Sequence, residues 1–239
     1  MSWGYGYSEY KSVAEQRAKA QKQLAKLRKK DPGIQPVIIE GRKITSTWWG
    51  NSWCENFKRY ADFENRISRG SAYCKNGFVF DLRVEEGLVS AQVQGTKLYQ
   101  SKVGIKKLSA DKWQAIADAC ANRIDSMSAL AEGTFPKELA DIFMKQGSGL
   151  FPAPGEISFS CSCPDQYGDH MCKHIAAVLY GVGNRLDSAP LLLFKLRGID
   201  PGALIKKSVE EKIDSLLANA GKVSGRVIDE RDARRLFEL

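Results

Sequence analysis

Two cysteines one residue apart, followed by a Cys-x-His pair, constrain this chain more than any other feature of its sequence. The residues are Cys161, Cys163, Cys172 and His174, in the pattern C-x-C-x8-C-x-H. Three thiolates and one imidazole complete the tetrahedral shell that Zn²⁺ prefers in structural sites. Four protein ligands leave no open coordination position for a substrate. The pattern therefore predicts a bound zinc ion in a binding module rather than in an active site.

The residues around the first two cysteines indicate how their sulfurs converge. Residues 157–160, Ile-Ser-Phe-Ser, have β character. In an extended chain, residues two apart point to the same face, so Cys161 and Cys163 can reach one ion. Pro164 has no N–H group with which to continue a sheet. We therefore expect a strand that ends at the C-x-C pair and continues into a loop.

The second pair of ligands is expected at the start of a helix. The apolar run from Ile175 onward predicts that helix, and Cys172 and His174 can converge only where Cys172 still lies half outside it. His170 also lies beside Cys172, but a helix that starts after Cys172 favours His174. The alternative is that the cysteines, six in the whole chain, are buried thiols or disulfides. No secretory signal precedes them, which argues against a disulfide scaffold.

The ligand pattern resembles the SWIM zinc finger, and several further segments are similar to those of prokaryotic SWIM proteins. The resemblance covers roughly residues 45–200. It implies a zinc-stabilised module, with zinc held by Cys161, Cys163, Cys172 and His174, that binds DNA or protein, often beside a SNF2-type helicase, and has no known chemistry of its own. The segments are Trp48-Trp49-Gly50, Arg69-Gly70-Ser71-Ala72-Tyr73, Cys161-Ser162-Cys163-Pro164-Asp165, Cys172-Lys173-His174-Ile175-Ala176-Ala177-Val178 and Pro190-Leu191-Leu192-Leu193-Phe194-Lys195-Leu196-Arg197-Gly198.

The positive charge of the chain is concentrated in its first third. Residues 1–70 contain 14 Lys and Arg against 7 Asp and Glu, a net charge of +7, whereas the whole chain has +8. A localised basic excess attracts polyanions, of which nucleic acid is the commonest. The alternative is a solvated helix face that only keeps the protein in solution. The candidate nucleic-acid contacts are Lys26, Arg28, Lys29, Lys30, Arg66, Arg69 and Lys173.

The hydrophobic pattern predicts an α+β fold with a small antiparallel meander. Residues 78–84, 88–94 and 98–107 read as its three strands, with Phe80, Leu82 and Val84 on one side of the first. The predicted organisation is a basic helical arm over 1–35 that is mobile until it meets a partner, an α+β domain over 36–146, a linker over 147–156, a zinc finger over 157–200 and a helical segment over 201–239.

Two stripes, one aromatic and one apolar, allow two interpretations each. Trp49, Trp53, Phe57 and Tyr60 follow helical spacing, which favours a core stripe over a surface that stacks nucleic-acid bases. Ser52 and Glu55 predict a capping box that opens this helix. The C-terminal helix has Leu204, Ile205, Val209, Ile213, Leu216 and Leu217 at helical spacing, which favours core over a docking face for a partner helix.

Catalysis is not expected from the residues available. There are only two histidines, and one is a predicted zinc ligand. No G-x-x-x-x-G-K-[ST] loop is present, so the chain is not expected to hydrolyse ATP. No run approaches the ~20 apolar residues of a membrane span, and a cytoplasmic location is expected. We therefore expect a non-enzymatic zinc module that binds nucleic acid, with DNA favoured, or a SNF2-type helicase, or both. The alternative is a protein–protein adaptor whose zinc is purely structural.

Overall fold

The computed structural model describes residues 12–59, 64–120, 129–130, 132, 137–145, 147–168 and 170–220. It confirms the α+β class, because helices accompany one four-stranded antiparallel sheet in the order β1-β2-β3-β4. Residues 1–11 of the predicted arm, Tyr60 of the aromatic stripe and residues 221–239 of the C-terminal segment lie outside the described residues. The strands are β1 (Val79–Glu85), β2 (Leu88–Gln94), β3 (Leu98–Ile105) and β4 (Ile157–Cys161).

The helices fall before, between and after the strands. None of those described combines the length and the apolarity that a bilayer crossing needs. They are α1 (Val13–Lys30), α2 (Trp48–Lys58), α3 (Glu64–Lys75), α4 (Ala110–Cys120), α5 (Ala140–Phe143), α6 (Lys173–Ser188), α7 (Leu192–Leu196) and α8 (Pro201–Ala220), with short 3₁₀ turns at Lys137–Leu139 and Pro154–Glu156.

The fourth strand joins the predicted finger to the predicted meander. Ser101, Val103 and Ile105 of β3 are the register partners of Cys161, Phe159 and Ile157 in β4. Residues on both sides of the predicted linker, 147–156, therefore belong to one sheet. The C-x-C pair extends from the edge strand of that sheet, so its position is fixed by a β-ladder.

One continuous core lies between the sheet and helix α6. Every residue from His174 to Gly183 in α6 is buried. Trp53 and Phe57 of α2 pack into the same core, as the helical spacing of the aromatic stripe predicted. Trp53 also donates a hydrogen bond from its indole Nε1 to the carbonyl oxygen of Leu179, 2.9 Å away. An aromatic anchor with its one donor satisfied holds α2 against α6.

A bulge in β1 changes which face its side chains occupy. The register shifts between Phe80 and Arg83, and Asp81 has a φ of 46°, in the left-handed region. Leu82 therefore packs into the main core, whereas Phe80 packs on the opposite face of the sheet. The prediction that Phe80 and Leu82 share one side was wrong, because strict alternation fails across a bulge.

Helix α1 lies against the face of the sheet to which Phe80 points. Its buried Ala20 and half-buried Leu24 and Leu27 contact the cluster formed by Phe78 and Phe80. The helix begins at a capping box between Ser12 and Glu15. The basic helix of the predicted arm is thus attached to the body through a narrow apolar stripe.

A buried arginine connects the segment after α7 to the start of β4. Arg197 has no exposed surface. Its guanidinium donates to the carbonyl oxygen of Lys106 at 2.7 Å and to the Glu156 carboxylate at 3.1 Å. Burial opposes ionisation of Glu156, but hydrogen bonds from Lys112 and the Ala153 N–H, with the charge of Arg197, outweigh it and lower its pKa. Arg197 belongs to the last of the SWIM-like segments, residues 190–198, and its buried contacts give this segment a structural role.

The predicted start of α2 needs correction. Helix α2 begins at Trp48 and is capped by Thr47, whose hydroxyl accepts from the N–H of Gly50, so Ser52 is not its cap. Asp187 accepts hydrogen bonds from Ser46 and Thr47, which fixes this earlier start.

The apolar stripe of α8 is not core along most of its length. Val209, Ile213, Leu216 and Leu217 are all exposed, the last to 68 %. Ile205 packs against the main core, and Lys207 forms an ion pair with Asp118 of α4 at 2.6 Å. The core interpretation therefore holds for Ile205 but not for these four exposed side chains.

Candidate metal centre

The four predicted ligands come from three local structures that meet at one point. Cys161 ends β4, and Cys163 follows in a turn. Cys172 is the N-cap residue of α6, with extended φ and ψ of −81° and 167°, and His174 lies in the first turn. The predicted strand, loop and helix start are therefore present. One ligand atom from each residue lies within 4.8 Å of all the others.

The donor set and its spacing fit zinc. Nδ1 of His174 is 3.9 Å from the Sγ of Cys161 and 4.0 Å from the Sγ of Cys172. Tetrahedral zinc with Zn–S bonds of about 2.3 Å and Zn–N bonds of about 2.0 Å places ligand atoms roughly 3.5–3.8 Å apart. The ligand atoms need to move inward by less than about 1 Å to reach that geometry. Three cysteines and one histidine would hold the ion completely, with no position left for a substrate.

The ionisation of the thiols also calls for a cation. Hydrogen bonding with Cys172 lowers the pKa of Cys161 to about 3. The same interaction, with burial, raises the pKa of Cys172, and burial raises that of Cys163. A divalent metal at the centre would supply the positive charge that lets the three thiols bind it as thiolates.

A serine of the neighbouring strand supports the first ligand. The hydroxyl of Ser101 lies 3.3 Å from the Sγ of Cys161, its register partner, and Ser101 is 1 % exposed. A hydroxyl that donates to a metal-bound thiolate fixes its direction and spreads its charge. Sequence reasoning missed this residue. The available signal was a serine on the buried, otherwise apolar side of β3, between Tyr99 and Val103.

The imidazole of His174 is oriented by packing on both sides. The Tyr99 ring lies 4.6 Å away at a tilt of 37°, and the Tyr73 ring contacts it edge-on at 5.4 Å. A Cβ atom at Gly95 would lie 3.0 Å from Nε2. Nε2 is buried and has no hydrogen-bond partner among the described residues, so Nδ1 is the atom that faces the sulfurs. The second histidine, His170, packs instead against Tyr167 at 4.5 Å.

An acidic residue of the finger loop binds the two basic residues nearest to it. Asp165 forms ion pairs with Lys173 and, at 3.6 Å, with Arg66 of α3. The hydrogen bond from Lys173 lowers the pKa of Asp165. These two candidate nucleic-acid contacts therefore share one carboxylate, and their charge is partly compensated within the protein.

The remaining candidate contacts lie on α1 and α3. Lys26, Arg28, Lys29 and Lys30 are exposed in the second half of α1, and Arg69 is exposed on α3. The four on α1 form no hydrogen bond or ion pair with any described residue. The structure thus separates the candidates into a free cluster on α1 and a compensated pair, Arg66 and Lys173, beside the finger.

The cysteines outside the cluster are buried free thiols. Burial raises the pKa of Cys54 and of Cys74 to about 12 in each case. Cys120 is fully buried on the core face of α4. Thiols that stay protonated at neutral pH are poor nucleophiles and poor metal ligands.

Comparison with known proteins supports this assignment. The family model described as SWIM zinc finger matches residues 160–182, which include all four candidate ligands. The chain is 30% identical over 185 residues to an uncharacterized protein, Rv2102, of Mycobacterium tuberculosis. The match covers 76% of this chain and 65% of that relative, so the chain spans less than two thirds of the relative's length. No solved structure matches. The family match and the Cys/His cluster together show that the chain contains a SWIM zinc finger, whose four ligand residues fit a zinc ion.

Proposed function

We propose that this protein is a non-catalytic zinc module that binds nucleic acid, with DNA as the favoured ligand, and that it works beside a SNF2-type helicase. The observation that carries the proposal is α1, which holds seven Lys and Arg against one acidic residue, a net charge of +6 over 18 residues. Being docked on the sheet, the helix presents this charge from a fixed position. Fixed cations release counterions from phosphates and give salt-dependent affinity.

The non-catalytic part of the proposal has separate support. Four protein ligands close the zinc shell, whereas a catalytic zinc keeps one position for water or substrate. The buried thiols of Cys54 and Cys74 stay protonated at neutral pH, because burial raises each pKa to about 12. The same proposal includes a cytoplasmic location. It also assigns ATP-driven movement to the helicase partner and not to this chain.

Charge substitutions on α1 test nucleic-acid binding in the intact chain. Removing residues 1–35 would uncover Phe78 and Phe80, so point changes are the sharper test. Lys26→Glu with Lys30→Glu should weaken binding of a labelled DNA duplex and flatten its salt dependence. The control, Lys145→Glu with Lys195→Glu, makes the same charge change at exposed sites elsewhere. Equal and negligible retardation of DNA by the wild type at low and moderate salt would remove the proposal.

A second function, a protein-interaction adaptor, is favoured by the exposed apolar stripe of α8. Val209, Ile213, Leu216 and Leu217 lie at helical spacing, the pattern by which an amphipathic helix docks into a groove. The adaptor predicts that an SNF2-type ATPase co-purifies after nuclease treatment and is lost from Ile213→Asp with Leu216→Asp. Co-purification that depends on nucleic acid, or that survives both substitutions, would count against it.

A further inference from the structure

One face of the sheet is not covered by the core helices. Side chains alternate along each strand, and those that point away from α6 lie in register across the sheet. Ser90 of β2 pairs with Lys102 of β3, which pairs with Ser160 of β4. The adjacent row contains Gln92 and Gln100. We call this surface, formed by Ser90, Gln92, Gln100, Lys102, Ser158, Ser160 and Ser162, the open face.

On β2, β3 and β4 the open face is polar and has no acidic residue, whereas Arg83 of β1, the register partner of Ser90, pairs with Asp81 and Asp31. Gln100, Lys102, Ser158, Ser160 and Ser162 are exposed. Strands β2, β3 and β4 contain no Asp or Glu. Its exposed groups are thus hydroxyls, an amide and one ammonium, all of which can donate hydrogen bonds.

A row of lysines on α1 borders the open face on one side. Lys19 donates to the carbonyl oxygen of Thr96, in the turn between β2 and β3, at 2.9 Å. Seven and eleven residues further along the helix, Lys26 and Lys30 lie on the same flank by helical spacing. The opposite flank holds Arg17, which donates to Asn76 in the turn between α3 and β1. The lysine flank therefore faces toward β2, β3 and β4.

We propose that the sugar–phosphate backbone of a nucleic acid lies on the open face, between the lysine flank of α1 and the serines of β4. This rests on the proposed function, since it says where that ligand binds. Lysines, serine hydroxyls and glutamine amides are the usual protein contacts to phosphate and sugar. From β2 to β4 the face is about 10 Å wide, two interstrand spacings, which suits one backbone strand.

The composition of the open face favours nucleic acid over an acidic protein. Specific protein interfaces are anchored by buried aromatic and apolar side chains. The exposed members of the open face are serine, glutamine and lysine. The zinc cluster lies at its edge, because Cys161 ends β4 and Ser162, whose hydroxyl accepts from the N–H of Gln100, is the residue between the paired cysteines. The finger then serves to hold the last strand of the face in place.

Binding of a short fluorescein-labelled DNA duplex and a labelled single strand by full-length, zinc-loaded protein tests the inference. Lys102→Glu should weaken binding about fivefold to tenfold and reduce the log–log salt slope by about 1. Ser160→Glu, a second exposed change on the same row, should also weaken it. The matched control is Lys145→Glu, on the loop after α5, whose Phe143 packs against Phe194 of α7 in the main core. Zinc content and circular dichroism verify that each variant folds.

The outcomes separate this inference from the proposed function. If wild type binds with a steep salt dependence, and Lys102→Glu and Ser160→Glu bind as tightly as Lys145→Glu, the open face is not the binding surface, although the function stands. If wild type binds neither probe, the proposed function fails and this inference fails with it. An acidic polypeptide such as polyglutamate that competes as well as DNA would identify a protein ligand and overturn the inference.

Discussion

Replacing Gly70 by alanine should disturb the zinc centre, because it pushes α3 against α6, the helix that supplies two of the zinc ligands. Gly70 of α3 is buried at the point where α3 meets α6, the helix that begins with two of the zinc ligands. A Cβ atom there would lie 2.4 Å from the Cβ of Ala176 and 2.9 Å from the backbone nitrogen of Ala177. Ordinary carbon contacts are about 3.5–4.0 Å, so the overlap exceeds about 1 Å.

Two effects of opposite sign decide the magnitude. Alanine is a better helix former than glycine by about 1 kcal/mol, which stabilises the variant. Overpacking of a core costs about 1–3 kcal/mol, and the upper value applies because two of the contacts are to backbone, which cannot rotate away. The net expectation for Gly70→Ala is a loss of about 2 kcal/mol, or roughly 4–8 °C in Tm for a chain of this size. Zinc should also pass faster to a chelator, since α6 must shift.

Urea denaturation of the zinc-loaded protein, followed by circular dichroism, measures the change. Gly155→Ala is the matched control, because a Cβ at Gly155 meets nothing within 4 Å. Adding Ala176→Gly to Gly70→Ala removes the shortest contact and should restore part of the stability. A Gly70→Ala protein as stable as the wild type, or more stable, would refute the reasoning, since helix propensity alone predicts that sign.

Three other substitutions have definite expected outcomes. Cys161→Ser should lower the zinc content measured by atomic emission and destabilise the finger, because it removes one of four ligands. Ser101→Ala should keep stoichiometric zinc but weaken its affinity about tenfold in chelator competition, since the hydroxyl supports the Cys161 thiolate. Glu156→Gln should cost about 3 kcal/mol at pH 7, because it leaves the buried Arg197 without its carboxylate. The pKa of Glu156 is lowered by folding, so its stabilisation is present above the ordinary carboxyl pKa. Denaturation at several pH values measures the free energy of unfolding of both proteins. The difference between wild type and Glu156→Gln should narrow as the pH falls through the lowered pKa of Glu156.

Each of these changes has a matched control. Cys74→Ser lies outside the cluster and should retain zinc, so zinc retained by Cys161→Ser as well would reject the ligand assignment. Ser160→Ala on the exposed side of β4 should leave zinc affinity unchanged, and equal affinities for it and Ser101→Ala would show that the hydroxyl is not needed. Glu210→Gln breaks an exposed pair with Lys206 and should cost less than about 0.5 kcal/mol. If the difference in unfolding free energy between wild type and Glu156→Gln did not depend on pH, the charge of the Glu156 carboxylate would not stabilise the fold.

Local patterns predicted much of the fold because they depend on neighbours in sequence. The hairpin from β1 to β2 follows from alternation and from Gly87, whose φ is 71°. The C-terminal helix was predicted, but its apolar stripe did not reveal that Ile213 and Leu216 are exposed. Periodicity identifies an apolar face, whereas burial depends on what lies opposite that face. The bulge at Asp81 was missed for a related reason, since one extra residue in a strand leaves no clear signal in the pattern.

The sequence by itself was enough to predict the four zinc ligands and the class of fold. Ligand type, ligand spacing and residue periodicity are local properties of the chain. Only the tertiary structure decided where the finger sits. The pairing of β3 with β4 brings Ser101 to Cys161, although the two are 60 residues apart. The same pairing leaves one polar face of the sheet open beside the lysines of α1. Contacts between distant segments depend on how whole elements pack, and no spacing within a single segment encodes them.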